Sequence, residues 1–300
     1  MPGTSDVRVA VCGLGLMGLP IAQRLLAGGI RTTVWNRSPD AIRQAVVGGA
    51  SVAATPAEAA EQADLVITML ASHDALSDVV FGSDGIASAA PRALAQTGTV
   101  SCEQLTALAA RLPDGWDLLD APVLGSVPQA VDGSLRLLVG ADDAVFARWS
   151  PVLALFGEPV HVGPVPNGSA LKQVLLAANA PMVALLAEAI ALGERLGLDR
   201  ALLLDELELS RIGALVRRKR AMIEAGCYPA DARLSVFAKD MRLIGQSGED
   251  TGMPMTMVAA ALALAEQAVT AGLSDHDYSV LIGHRLGHLD RKDADGEPCG

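Results

Sequence analysis

Four places in the chain carry residues whose types and spacing can do chemistry. The first is Val9-Ala-Val-Cys-Gly-Leu-Gly-Leu-Met-Gly18, where Gly13, Gly15 and Gly18 form G-x-G-x-x-G between a strand-like run and a helix-like one. Gly13 permits a tight turn, Gly15 lets the backbone approach a pyrophosphate, and Gly18 lets helix and strand pack closely. The opening helix turns unpaired N–H groups toward the anion, so this segment predicts dinucleotide binding. The second is Val34-Trp-Asn-Arg-Ser38, about 20 residues on, where the adenosine ribose is read. An acidic residue there would accept from a 2′-hydroxyl and repel a 2′-phosphate. Asn36 is neutral, Arg37 offers a guanidinium fork and Ser38 a hydroxyl, so NADPH is favoured over NADH. The third is Asp120-Ala-Pro-Val-Leu-Gly-Ser126, a strand end opening a loop whose Gly125 can present N–H groups to a carboxylate; by composition alone it is only a turn. The fourth is Gly168-Ser-Ala-Leu-Lys172, a lysine in the first turns of a long apolar helix. Among Ala, Leu and Val it must snorkel, pair, or have a lowered pKa, and the last option suits a proton donor to a carbonyl accepting hydride.

Other polar clusters carry less. His284 and His288 are spaced i, i+4 with Asp290 nearby, but no third ligand presents itself, so a surface helix end is expected and no metal. Arg217, Arg218, Lys219 and Arg220 form a basic run that reads as a solvated helix face rather than an anion contact. Cys12, Cys102, Cys227 and Cys299 lie far apart without a C-x-x-C pair, which predicts reduced thiols.

The elements that must position these groups follow from length and pattern. Three hundred residues, 51% of them apolar, allow two domains. Thirty glycines beside only four Phe, two Tyr and three Trp give the Ala/Leu/Val composition of helices packed on parallel strands. They also supply too few aromatic platforms for single-stranded nucleic acid. A formal charge of -11 sets phosphate backbones and anionic lipid aside as partners. From Val7 to about Gly163 strand candidates Arg8–Cys12, Thr32–Trp35, Leu65–Leu70, Leu118–Asp120 and Leu135–Val139 alternate with amphipathic stretches. This is a βαβ series, hence a parallel twisted sheet covered by helices. After Val162-Gly-Pro-Val-Pro-Asn167 the rhythm changes, and a helix is expected from Asn167 or Ser169 to Gly197, followed by helical sequence to about His288. Val174 to Gly193 and Met253 to Gly272 are about long enough to cross a bilayer, yet Asn179, Pro181 and Glu188, and Glu266 and Gln267, interrupt them; they read as buried helices. Met1 to Arg8 has no secretory pattern, which points to a cytoplasmic protein.

Taken together the residues resemble the β-hydroxyacid dehydrogenase family, the relatives of 3-hydroxyisobutyrate dehydrogenase. The likeness runs through Gly13-Leu-Gly-Leu-Met-Gly18, Trp35-Asn-Arg37, Ala63-Asp-Leu-Val-Ile67, Gly98-Thr-Val-Ser101, Asp120-Ala-Pro-Val123, Gly168 to Lys172, Phe237-Ala-Lys-Asp-Met241 and Ala271-Gly-Leu-Ser-Asp275. The resemblance implies an α/β fold: an N-terminal Rossmann doubly wound parallel sheet (1–165), a long inter-domain helix (166–196) and an all-α C-terminal domain (197–288) for dimerisation and substrate; residues 289–300, rich in Asp, Gly, Lys and Pro, are expected to form a disordered tail. It implies an active site in the inter-domain cleft, with Lys172 as the catalytic acid/base and the loop after Pro122 holding the substrate carboxylate. Cofactor contacts are expected from Gly13, Leu14, Gly15, Leu16, Met17, Gly18, Asn36, Arg37, Ser38, Leu70, Thr99 beside the nicotinamide, and Lys239 closing over the site. Substrate contacts are expected from Leu124, Gly125, Ser126, Leu176, Asn179 and Lys239.

Two positions depart from the family pattern. Leu124 stands where serine is usual after Asp-Ala-Pro-Val, and Leu176 where asparagine usually follows the lysine by four residues. Asn179 shares the face of Lys172 but sits roughly 10 Å along the axis, too far to replace that amide. A pocket preferring a larger or less polar substrate follows, with Ser126 as a partial substitute for the lost polarity. The expected protein is an NADPH-dependent reductase of a β-keto acid or semialdehyde, acting on a small molecule as a homodimer or higher homo-oligomer. The alternatives are an imine reductase acting on a hydrophobic C=N substrate and a non-catalytic NADP-binding module.

Overall fold

The computed structural model describes residues 7–90 and 92–287. The first part of the chain alternates β1 (Arg8–Cys12), α1 (Gly18–Ala27), β2 (Arg31–Trp35), α2 (Pro39–Val47), β3 (Ser51–Val52), α3 (Pro56–Glu61), β4 (Leu65–Thr68), α4 (His73–Phe81), β5 (Ala93–Gln96), α5 (Cys102–Arg111) and β6 (Asp117–Asp120). The six strands form one parallel sheet in the order β3-β2-β1-β4-β5-β6. That order reverses beside β1, at the crevice where doubly wound sheets bind ligands. The register matters for function. Cys12 pairs with Trp35 and Thr68, Thr68 with Gln96, and Gln96 with Asp120, so these strand ends form one row and their loops leave the same edge.

Side chains alternate across the sheet, as the pleat requires. Val9, Val11, Leu65, Ile67 and Leu119 enter one buried cluster, while Ala10, Cys12, Val66 and Leu94 enter another. Both faces are therefore covered, which explains the near-continuous apolar runs read in the sequence. Helix starts follow local chemistry: Thr55 caps α3 by accepting from the Glu58 N–H, and Ser101 and Gln104 bond reciprocally at the start of α5. Then come β7 (Val123–Leu124), α6 (Val127–Asp132), β8 (Leu135–Val139), α7 (Asp143–Leu153) and β9 (Gly157–His161). Their strands make a second sheet, β7 antiparallel to β8 and β8 parallel to β9.

The helices that follow are α8 (Asn167–Asn179), α9 (Met182–Arg195), α10 (Arg200–Glu208), α11 (Gly213–Ala225), α12 (Leu234–Asp250), α13 (Thr256–Thr270) and α14 (Val280–Leu286). The expected single helix from 166 to 196 is thus two. Pro181 lacks an N–H and its ring clashes with the preceding turn, so α8 ends at Asn179 and α9 begins at Met182. Two compact units divide after Gln173, inside α8. By length and a mean hydropathy of 1.9 alone, the stretch Asn167–Arg195 could cross a membrane, a test that core helices also pass. Val183, Leu186, Ala187 and Ile190 of α9 bury in the core of the helical unit, whereas Val174, Leu185 and Leu192 are exposed, so the stretch is buried along one side and not, as expected of a buried helix, all round. The tail expected at 289–300, and His288, lie outside the described residues. Cys12 and Cys102 are free thiols, whereas Cys227 is disulfide-bonded, a departure from the expectation of reduced cysteines throughout.

The basic run on α11 is a solvated face only in part: Arg217 and Arg218 are exposed and Arg220 is half-buried, but Lys219 is buried. Lys219 is 2% exposed, with its Nζ 2.9 Å from Asp277 Oδ1 and 3.7 Å from Asp231 Oδ2, over the ring of Tyr278. Arg220 pairs with Asp205 at 2.7 Å and Glu224 at 2.8 Å, and Arg218 donates to the Tyr278 hydroxyl at 2.8 Å. Asp277 has no exposed surface and also accepts from the Ser279 N–H and hydroxyl. Removing one partner of such a pair strands a buried charge. Lys219→Met is expected to lower stability by about 3–5 kcal/mol, read by urea unfolding, while Arg217→Ala leaves the curve unchanged; equal curves for Lys219→Met and the parent would refute it.

Candidate active site

The glycine turn between β1 and α1 is shaped by backbone contact. Gly13 has φ +102°, which L side chains rarely adopt, and a Cβ there would lie 2.4 Å from the Met69 carbonyl oxygen. A Cβ on Gly18 would lie 1.9 Å from the Gly13 oxygen, so the start of α1 rests directly on the turn. Around Gly15 a Cβ would meet nothing within 4 Å, and Gly15 and Leu16 are exposed. That open cradle fits a pyrophosphate brought against the backbone where the first helical N–H groups lack intrahelical acceptors.

Leu14 and Asn36 are joined by a hydrogen bond. The Leu14 side chain is 2% exposed and packs in the core, and its N–H donates to Asn36 Oδ1 at 2.9 Å. The Asn36 amide in turn donates to the Ser38 carbonyl at 2.8 Å. Asn36 is therefore a brace between the β2 end and the glycine turn, which leaves the exposed Arg37 and Ser38 as the groups facing solvent at that strand end. Leu70 and Thr99 stand farther along the same sheet edge, both half-buried. A Cβ on Gly13 would touch Leu70 Cδ2 at 2.8 Å and one on Gly98 the Leu70 carbonyl at 2.9 Å, which draws the loops after β1, β4 and β5 together.

At the far end of the row sits a residue the sequence reading left without a role. Asp120 has no exposed surface. Its Oδ2 accepts from the Ser169 N–H at 2.6 Å, its Oδ1 from the Ser169 hydroxyl at 2.7 Å, and the Gly168 N–H donates to the same carboxylate. A Cβ on Gly168 would lie 2.3 Å from the Leu138 oxygen and 2.4 Å from the Asp120 oxygen, so α8 starts directly on the ends of β6 and β8. Burial pushes the Asp120 carboxyl up to about 6, against these hydrogen bonds and the attraction of Lys172, which lower it. Lys172 follows Ser169 by three residues on α8 and is 8% exposed. The next residue, Gln173, donates to the Cys102 sulfur at 3.6 Å, tying α8 to the start of α5.

The loop expected to hold a carboxylate is built from a half-buried Leu124 in β7 and an exposed Gly125 with φ +131°. The Ser126 N–H and hydroxyl both donate to Gln129 Oε1 at 2.9 Å, so that hydroxyl already has an acceptor. In the helical unit Leu176 packs against the core, Asn179 is exposed with its amide donating to the Leu175 carbonyl at 2.8 Å, and Lys239 lies 2.9 Å from Asp240 Oδ1. Among the described residues no group of three or more His, Cys, Asp or Glu is arranged to hold a metal ion.

Residues 8–163 match the family model described as the NAD binding domain of 6-phosphogluconate dehydrogenase, and residues 167–284 the one described as NAD-binding of NADP-dependent 3-hydroxyisobutyrate dehydrogenase. The chain belongs to the β-hydroxyacid dehydrogenase family. As a β-hydroxyacid dehydrogenase it is an NAD(P)-dependent oxidoreductase acting on CH–OH groups, with a Rossmann unit and a helical C-terminal unit. It is 32% identical over 290 residues to glyoxylate/succinic semialdehyde reductase 2 of Arabidopsis thaliana, covering 94% of this chain and 81% of that one. A 3-hydroxyisobutyrate dehydrogenase from Salmonella typhimurium superposes with a TM-score of 0.83 at 26% identity, covering 92% and 99% of the two chains. An imine reductase from Myxococcus stipitatus shares the fold with a TM-score of 0.63 at 20% identity, covering 92% and 98%.

Proposed function

We propose that this β-hydroxyacid dehydrogenase is an NADPH-dependent reductase of a β-keto acid or semialdehyde, with Lys172 as the proton donor. The observation that carries the reading is a lysine 8% exposed, one turn into a helix whose start is fixed by a buried carboxylate. Bound at the glycine turn, NADPH supplies a hydride for the carbonyl carbon. As charge develops on the carbonyl oxygen, the Lys172 ammonium donates a proton to it and steadies it meanwhile. The Gly125 backbone is suited to the substrate carboxylate, because the Ser126 donors already serve Gln129. Leu124 and Leu176 make the substrate end less polar than is usual in the family, which favours a larger or less polar substrate; Asn179 and Lys239 complete the proposed substrate-side set.

The choice of NADPH rests on the β2 end, where Asn36 is used internally and the exposed Arg37 is free of a neighbouring acidic side chain in Trp35-Asn-Arg-Ser38. Arg37→Ala is expected to raise the KM for NADPH roughly 10- to 100-fold and to leave that for NADH unchanged; parallel changes for both would remove Arg37 from phosphate recognition. We place the enzyme in the cytoplasm as a homodimer or higher homo-oligomer, in keeping with the exposed Leu185 and Leu192 on α9 and Leu196 just after it.

The apolar Leu124 and Leu176 favour one second reading, an imine reductase. NADPH oxidation measured over a panel of β-keto acids, semialdehydes and cyclic imines decides. Turnover confined to carbonyl substrates supports the reductase, turnover confined to imines replaces it, and cofactor binding without any turnover leaves a non-catalytic module.

A further inference from the structure

We infer that Asp120 is a positioning residue for Lys172: its carboxylate fixes the first turn of α8, from which Lys172 leaves the helix, and its charge attracts the ammonium. This inference rests on the proton-donor reading of Lys172. Three donors from the start of α8 converge on the Asp120 carboxylate, at a helix end where a negative charge is favoured by the backbone dipoles. Ser169 and Lys172 are three residues apart and share a helix face, so the bond that anchors Ser169 also sets the direction from which Lys172 leaves the helix. The contact of Gly168 with the Asp120 and Leu138 carbonyls removes the freedom to slide. A lysine that must deliver a proton within a few tenths of an ångström needs such support from a rigid element.

The groups acting on Asp120 are few. Lys172 from α8 attracts it, and the Cys102 thiol of α5, itself pushed up by burial and by the Asp120 charge, lies within its field. The neighbouring strands contribute Gln96 and Leu138, which do not titrate. With its carboxyl at about 6, Asp120 is ionised above that pH, accepts from Ser169 and Gly168 and attracts Lys172; as pH falls through 6 it gains a proton and the attraction is lost.

The test is Asp120→Asn, which keeps the shape and an acceptor for the Ser169 N–H while removing the charge. Trace acetylation of the cofactor-free protein by acetic anhydride across pH, read at Lys172 by peptide mass spectrometry, reports the ammonium directly. The expected result is an apparent pKa for Lys172 lower by at least about one unit, hence roughly tenfold faster labelling at a fixed pH below it. The pH profile of kcat/KM should also lose an acidic limb near 6. An unchanged labelling curve in a folded variant overturns the inference, because a merely structural carboxylate would move neither readout. Asp120→Ser, which also removes the charge and keeps an acceptor, decides the matter if Asp120→Asn does not fold: a lowered Lys172 pKa supports it, an unchanged one overturns it. The labelling does not depend on catalysis, so a Lys172→Ala enzyme with full activity would sink the proton-donor reading and leave this result standing.

Discussion

Lys172→Ala should bind NADPH with nearly native affinity and lose roughly 10²- to 10⁴-fold in kcat, the usual contribution of a placed general acid. The side chain contributes none of the glycine-turn contacts, which come from backbone between Gly13 and Gly18. Its loss therefore separates binding from chemistry, and fluorescence titration of NADPH beside steady-state turnover measures both. A kcat within a factor of three of the parent would remove Lys172 from the reaction. Lys172→Arg is expected to fare almost as badly, because a guanidinium stays charged and releases its proton reluctantly.

The second large effect comes from a pair of glycines in one motif. Gly18→Ala forces a methyl to within 1.9 Å of a backbone oxygen that cannot swing aside. A loss of at least about 3 kcal/mol is expected, a fall of roughly 6–12 °C in melting temperature, with NADPH binding lost alongside. Gly15→Ala meets nothing within 4 Å and its φ lies outside the left-handed region, so the cofactor-free protein should melt like the parent. Its methyl stands instead in the open cradle, and a tenfold or greater rise in the Kd for NADPH is expected there. Scanning calorimetry with and without NADPH distinguishes them. A destabilised Gly15→Ala, or a fully stable Gly18→Ala, would contradict the division of labour in the turn.

The motifs of the candidate site are legible in the sequence because their signals are local. A glycine triplet, a strand end and an apolar helix carrying one lysine are each confined to a few residues. The missing pieces were non-local or atypical. β5, Ala-Leu-Ala-Gln, has no β-branched or aromatic residue, and β9, at a sheet edge, contains Gly157 and Pro159; neither looks like a strand by composition. The role of Asp120 depends on Ser169, 49 residues away, a pairing that only the fold creates. The break at Pro181 was visible as a residue, yet apolar sequence on both sides concealed that it ends a helix. Lys219 could have been found: it lies on the stripe Leu215, Val216, Lys219 and Ile223 that buries one side of α11, while Arg217, Arg218 and Arg220 fall off it.

The small hydrogen-bonded link from Leu14 through Asn36 to Ser38 bears on redesign of coenzyme preference. Retuning such enzymes toward NADH invites a carboxylate at the end of the second strand, and position 36 is the obvious place for it. A carboxylate there would still accept from the Leu14 N–H, but it would turn an oxygen, in place of a donor, toward the Ser38 carbonyl, setting two acceptors against each other. The substitution would trade coenzyme choice against the integrity of the turn that binds either coenzyme. A biocatalyst adapted to the unphosphorylated carrier is better sought by replacing Arg37 and leaving Asn36 untouched.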